Sequence, residues 1–389
     1  MTLQDLQALD EAWVMPTYKR LPVEFVRGEG PHLWDADGKR YLDFLTGISV
    51  SSVGHCHPAV VEAVRDQAGR LMHTTNLYLT EPPMRLAERL AMSSLGGRVF
   101  FCNSGAEANE CAIKLVRKHA HARGIQRPEI VVLDHAFHGR TIATLAGTPQ
   151  LAREDLFGPL PEGFVVVPRD DPFALEAAVG DSTAAVFIEP VQGECGVHPI
   201  SCEMLEAARA ACNRTGALLA FDEIQTGLGR TGRFWAYQGL GVTPDLLTSA
   251  KALGGGMPIG ACVTSPELRD VFEPGDHGST FAGGPVVAAA ALAVLDVLDD
   301  EALLTRVREL GETLGGRLRA CSGVAEVRQR GLMVGIDLSG GRAPDVVLAA
   351  LEAGLVVNAT GPATIRLLPP LVITPEQIDE GFELLAPLL

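Results

Sequence analysis

Through the middle of the chain, short runs rich in β-branched and aromatic residues alternate with stretches whose apolar positions recur three and four apart. Arg98–Cys102, Ile130–Leu133, Phe164–Val167, Ala185–Ile188, Ala217–Phe221, Leu246–Ser249 and Ile259–Thr264 read as strands. Between them, sets such as Ala108, Cys111, Ala112, Leu115 and Val116 share one helical face. Apolar strands alternating with helices imply a mainly parallel sheet covered on both sides. After Gly283-Gly284-Pro285 the pattern changes. A long helical stretch comes first, opening on the alanine-rich run Val286–Leu295. Strands follow around Val324–Arg328, Leu332–Asp337 and Leu355–Asn358, then a closing helix after Thr374. The start of the chain has its own short strands, Glu24–Val26 and His32–Trp34, split by glycine and aspartate turns. The expectation is an α/β fold in three stretches: an N-terminal segment, 1–60, packing with the small domain; a large domain, 61–284; and a smaller α+β domain, 285–389.

The 389 residues suffice for a large domain with a smaller companion. A net charge of −16 argues against a nucleic-acid footprint, which needs a basic excess, but leaves room for local arginines that hold an anionic substrate. The eight cysteines form no CxxC pair and read as reduced thiols of a cytoplasmic protein. The first residues carry acids and no apolar core, unlike a signal peptide. Val286–Leu295, the longest apolar run, is about half of the ~20 residues a membrane span needs. No membrane association is expected.

Candidate chemistry gathers where predicted strands end. Ser249-Ala250-Lys251 leads into Gly254-Gly255-Gly256. Strand ends in open α/β sheets face the ligand crevice, and glycines allow close approach. A lysine there suits imine formation with a carbonyl cofactor; a phosphate loop (without a Walker pattern) or a surface lysine are the other readings. In Phe221-Asp222-Glu223-Ile224-Gln225, Asp222 could pair with a protonated pyridine nitrogen, bind Mg²⁺ or cap a helix. Asp222 and Lys251 lie 251 − 222 = 29 positions apart, about one β-α-β step, so both can face one crevice.

Asn103-Ser104-Gly105-Ala106 precedes an amphipathic helix, where free N–H groups favour an anion; an ordinary Ser104 cap is equally consistent. Phe137-His138-Gly139-Arg140 sets an aromatic near an arginine, which could stack on a flat ring and grip a carboxylate, or be core beside surface. His55-Cys56-His57 suggests a metal, but neighbours in sequence converge poorly on one tetrahedral ion, and no metal is expected. The glycines of 311–316 follow no strand, so a nicotinamide-binding fingerprint, and with it a dehydrogenase, is unsupported.

In order, MPTYKRLPVEFVRGEGPHLWDADGKRYLDF, GHCHP, TTNLYLTEP, NSGAEANE, AFHGRT, IEPVQGECGV, FDEIQTGLGRTG, PDLLTSAKALGGGMPIGA and HGSTFAGGP resemble the class III (ornithine-type, fold type I) pyridoxal-phosphate aminotransferases over nearly the whole chain. Within that family the nearest likeness is to the acetylornithine-using branch. The resemblance implies pyridoxal 5'-phosphate as cofactor, a small-molecule amino donor with 2-oxoglutarate as acceptor, and a homodimer with shared active sites. It implies Lys251 as Schiff-base lysine and proton shuttle, Asp222 as partner of the pyridine nitrogen, and Gln225 as neighbour of the phenolic oxygen. Phe137 would stack on the ring, Ser104, Gly105 and Ala106 would form the phosphate cup, and Thr280 would reach the phosphate from the partner subunit. Arg140, with Tyr18 close by, would take the substrate's distal carboxylate; Ser279 is a further substrate contact, and Glu194 with Arg366 would switch between donor and keto acid.

The implied donor is N2-acetylornithine, in arginine biosynthesis. Rivals are acetyl-lysine or carrier-protein-linked lysine, 4-aminobutyrate and succinylornithine. Ile48 falls where ornithine-using relatives carry a tyrosine, which argues against free ornithine. Cys195 replaces a usual glycine and is expected to tighten the space near Glu194; Ala282-Gly283-Gly284 replaces a more usual Gly-Gly-Asn.

Overall fold

The computed structural model describes residues 1–152 and 154–389. Seven strands form the central sheet, in the order Val99–Cys102, Gly260–Thr264, Leu246–Ser249, Leu218–Asp222, Thr183–Ile188, Glu129–Leu133, Phe164–Val167. All neighbours from Leu246–Ser249 onward run parallel, while Gly260–Thr264 is antiparallel to the strands on both sides. Alternation along each strand splits the core. Ile130, Val132, Leu218 and Ala220 pack toward the helix Gly105–Ala122, and Val131, Leu133, Leu219 and Phe221 pack toward the helix Cys202–Thr215. Both faces are covered, which is why these strands read as unbroken apolar runs.

The stretch after Pro285 is two helices, Pro285–Leu298 and Glu301–Arg319. Two aspartates break it: the Asp300 side chain accepts the Ala302 N–H at 2.8 Å and caps the second helix. The expected strand at Leu355–Asn358 is two pieces in two sheets. Leu355–Val356 runs parallel to Arg40–Asp43 and completes the N-terminal sheet, whereas Asn358–Ala359 pairs with Thr364–Leu367 in an antiparallel sheet with Val324–Arg330 and Met333–Leu338. The beginning and end of the chain therefore share a sheet. They also share packing: a Cβ on Gly381 would lie 2.1 Å from the Phe44 ring, so only glycine leaves that ring its place. Among the described residues no helix is long and apolar enough to cross a membrane.

The parallel strands end on one edge at Leu133, Ile188, Asp222 and Ser249. The segments 134–140, 189–196, 222–227 and 250–257 follow them, and their side chains build the site.

Candidate active site

These segments, with the start of the Gly105–Ala122 helix, enclose a cavity of about 400 Å³. At its base is Asp222, 4% exposed. Its Oδ2 accepts the Asn109 side-chain amide at 2.8 Å and lies 2.8 Å from His138 Nδ1; Oδ1 accepts the Ile224 N–H at 3.1 Å. Asn109 also donates to the His138 carbonyl at 2.7 Å, and the His138 ring stacks on Phe187 with centroids 4.3 Å apart. Asp222 is thus fixed from three directions, as an acceptor that must hold one orientation requires.

Lys251 lines the same cavity one residue beyond the Ala250 that follows its strand. Its φ of 45° is left-handed, an unusual setting for a lysine and typical of strain kept at functional sites. Burial pushes its ammonium below the usual range, with Glu194 pulling the other way. Gly255 is needed here for space: its Cβ would meet Val294 at 2.7 Å.

Ser104 caps the Gly105–Ala122 helix by accepting the Glu107 N–H at 3.2 Å, and the first N–H groups of a helix lack partners within it. The cap is made, and Ser104, Gly105 and Ala106 also line the cavity. A Cβ on Gly105 would lie 2.8 Å from Ile224, which sets this helix start against the Asp222 segment. Phe137 and Arg140 line the cavity beside it, the guanidinium carbon 5.8 Å from the Phe137 ring centroid. Arg140 has no ion pair among the described residues.

On the other side, Arg366 Nη1 donates to Glu194 Oε1 at 2.8 Å, to Gln225 Oε1 at 3.2 Å and to the Gly193 carbonyl at 3.1 Å. Its Nε donates to Asn358 at 3.2 Å, and Nη2 is buried with no partner among the described residues. Gln225 donates back to Glu194 at 3.0 Å. Burial pushes the Glu194 carboxyl up, but Arg366 and Lys251 outweigh it and hold it at about 2. Glu194 and Gln225 line the cavity; Arg366 stands behind them, wholly buried.

Ser104, Gly105, Ala106, Phe137, Arg140, Glu194, Asp222, Gln225 and Lys251 are thus brought together. Four candidates lie outside the lining: Arg366, which stands behind Glu194 and Gln225, and Ser279, Thr280 and Tyr18. Ser279 adjoins it, its hydroxyl accepting the Asn103 side-chain amide at 3.0 Å. Thr280 is exposed, and Tyr18, 76% exposed, stands on the N-terminal segment. Cys195 turns its thiol to Arg169 at 3.2 Å and does not line the cavity, contrary to the expected crowding of Glu194. Gly283 has a φ of 64° and its Cβ would press on Phe101 at 3.1 Å, which accounts for a glycine there. Ile48 packs beside Val191, Val197, Met333 and Leu368. His55 pairs with Asp43 at 2.7 Å, and among the described residues no group of His, Cys, Asp or Glu could hold a metal.

Sequence reasoning missed His138, Asn109 and Glu189. Asn109 left a signal: it shares a helix face with Ala112 and Val116, a polar residue within an apolar stripe.

The donor set suits pyridoxal phosphate: a buried carboxyl for a ring nitrogen, a lysine of suppressed basicity, an aromatic face and a helix start for phosphate. Residues 14–389 match the family model described as aminotransferase class-III. The chain is 45% identical to the acetylornithine aminotransferase of Caldanaerobacter subterraneus subsp. tengcongensis, over 97% of each chain. Among solved structures, it is similar to an ornithine aminotransferase from Toxoplasma gondii with partial occupancy of PLP at its active site (TM-score 0.95, 36% identity, 100% of this chain and 94% of that one). It is also similar to the acetylornithine aminotransferase of Elizabethkingia anophelis (TM-score 0.88, 34% identity, 100% and 99% covered). Matched along almost its whole length, the chain belongs to the class III aminotransferases and is a pyridoxal-phosphate-dependent transaminase.

Proposed function

We propose that the enzyme transfers the terminal amino group of N2-acetylornithine to 2-oxoglutarate, giving N-acetylglutamate 5-semialdehyde and glutamate in arginine biosynthesis. The observation that carries this reading is the pairing of Arg366 with Glu194 at 2.8 Å while Arg140, which also faces the cavity, has no acidic partner among the described residues. Such a cavity accepts one carboxylate at Arg140 from either substrate. It offers a second carboxylate site only when Glu194 gives Arg366 up.

When bound, pyridoxal phosphate supplies a carbonyl that takes the amino group and a ring that delocalises an electron pair. Ser104, Gly105 and Ala106 would hold its phosphate, Phe137 would offer an aromatic face to its ring, Asp222 would hold a proton at the pyridine nitrogen, and Gln225 would meet the phenolic oxygen. Lys251 would anchor the cofactor, and its amine, made less basic by burial, would move the proton at the carbon that bears the donor's terminal amine. Arg140 binds the distal carboxylate of donor and acceptor alike; Ser279, which adjoins the cavity, and Tyr18 are proposed as further substrate contacts. With the donor bound, no carboxylate lies near the reacting carbon, and Glu194 neutralises Arg366. With 2-oxoglutarate bound, the α-carboxylate takes Arg366 bidentately and Glu194 withdraws.

We also propose a cytoplasmic homodimer. Leu77, Tyr78 and Leu79 are 84%, 69% and 87% exposed, and Phe281, next to Thr280, packs its ring 5.3 Å from His73. An exposed apolar run beside Thr280 suits a second copy, which would receive Thr280 at its phosphate cup. All eight cysteines are free thiols, in keeping with a reducing compartment.

The likeness to an ornithine aminotransferase makes free ornithine the second reading. A donor panel decides: glutamate formation from 2-oxoglutarate with N2-acetylornithine, N-acetyl-lysine, succinylornithine, ornithine and 4-aminobutyrate. N2-acetylornithine is expected to give the highest kcat/KM, and a higher value for ornithine or 4-aminobutyrate would overturn the assignment.

A further inference from the structure

Glu189 follows the strand Thr183–Ile188 and lines the cavity with Phe137, Asp222, Glu194 and Lys251, yet the proposed chemistry gives it no task. Its side chain is buried, and Oε2 accepts the Phe137 N–H at 2.9 Å. Among the described residues no donor reaches the other oxygen. Two residues earlier, Phe187 carries the His138 ring stacked at 4.3 Å. A spacing of two places side chains on one face of a strand. One edge of the sheet thus supports two consecutive residues of the segment 134–140: Phe187 under the His138 ring, Glu189 under the Phe137 backbone.

That segment needs support, because His135 has a φ of 56° and Gly139 a φ of 144°. Its other holds lie on either side of Phe137. Gln192 donates to the Asp134 carbonyl at 2.7 Å, and Thr148 accepts the His138 N–H at 2.9 Å. At Phe137 itself the Glu189 hydrogen bond is the tether.

We propose that Glu189 is a positioning residue: by binding the Phe137 N–H it fixes the segment that aims the Phe137 ring at the cofactor and Arg140 at the substrate carboxylate. Burial, with Asp222 beside it, pushes the Glu189 carboxyl well above the usual range, which favours its neutral form. A neutral clamp leaves the cavity's negative charge to Asp222 and Glu194. A carbonyl-bearing amide should therefore replace it.

The proposal rests on the transaminase reading, whose own failure would show separately, as wild-type enzyme that forms no glutamate. The experiment compares holoenzyme of wild type, Glu189→Gln and Glu189→Leu, with amide hydrogen exchange at Phe137 as the primary readout. Exchange should quicken in Glu189→Leu and stay slow in Glu189→Gln. The circular dichroism band of the bound cofactor, which reports how its ring is held, should weaken only in the leucine variant. Its kcat/KM should fall roughly tenfold, the order set by one net hydrogen bond, chiefly through KM for carboxylate-bearing substrates. Unchanged Phe137 exchange in Glu189→Leu overturns the clamp. Faster exchange with undiminished kcat/KM overturns the positioning role, and equal losses in both variants show that the carboxyl group itself, not the tether, is required.

Discussion

Asp222 is held by Asn109, His138 and the Ile224 amide, and each hold restricts where its charge can point. Replacing His138 with leucine keeps an apolar body on Phe187 and removes one donor. The expected result is cofactor affinity weaker by roughly ten- to hundredfold, from the ~1.5–3 kcal/mol of a hydrogen bond to a charged group. Spectrophotometric titration of the apoenzyme measures it; unchanged affinity would mean that Asn109 suffices.

Away from the site, burial, then Arg328 and Arg169, lower the His198 pKa from 6.5 to about 4. The unfolded chain then binds a proton that the folded one refuses, so this contribution is complete above pH 6.5 and drains away toward pH 4. Glu194 has the opposite charge type but the same direction: held at about 2 rather than 4.5, it contributes fully above pH 4.5 and fails only as pH falls through about 2. Denaturation midpoints at pH 7 and pH 4.5 should therefore differ less in His198→Gln than in wild type, with the Glu194–Arg366 pair intact at both. An identical pH dependence in the two proteins would contradict the assignment to His198.

At the scale of elements, the parallel strands were legible because double burial writes them as continuous apolar runs, and their ends marked Asp222 and Lys251. Thr364–Leu367 was not legible: it is short and carries Arg366 among apolar residues, a charge whose partner lies 172 residues away. The split at Leu355–Asn358 was hidden for a related reason, since local pattern does not state which sheet a short run joins. Glu189 and His138 escaped because a single polar residue at a strand end or in a loop looks like surface. Glu223 shows how such acids also build elements. Its carboxyl accepts the Ala236 N–H at 2.7 Å and the Tyr237 N–H at 2.9 Å, tying the start of the segment that begins at Asp222 to the short helix Ala236–Gly239. Glu223→Ala strands two buried donors and should cost about 2–4 kcal/mol, read from urea denaturation, with a smaller loss in Glu223→Gln. A loss below about 0.5 kcal/mol, the range of ordinary surface changes, would show that the segment holds itself.

For the whole molecule, the proposed dimer ties assembly to cofactor. If Thr280 of one subunit reaches the phosphate of the other, pyridoxal phosphate should tighten the dimer by mass action, and Thr280→Ala should weaken that linkage without unfolding the subunit. Sedimentation with and without cofactor checks this, and a fully active monomer would refute it. In the proposed scheme one cavity serves two substrates, with Glu194 shielding Arg366 for the first and releasing it for the second. Truncating Arg366 removes the α-carboxylate's partner and leaves Glu194 without its own, a loss that falls unequally on the two half-reactions. Stopped-flow single turnovers of Arg366→Leu, following cofactor absorbance, measure each half alone. The 2-oxoglutarate half should slow by roughly a hundredfold, as for a lost charge-assisted hydrogen bond, and the donor half by less than about tenfold. Equal slowing of both halves would contradict the scheme.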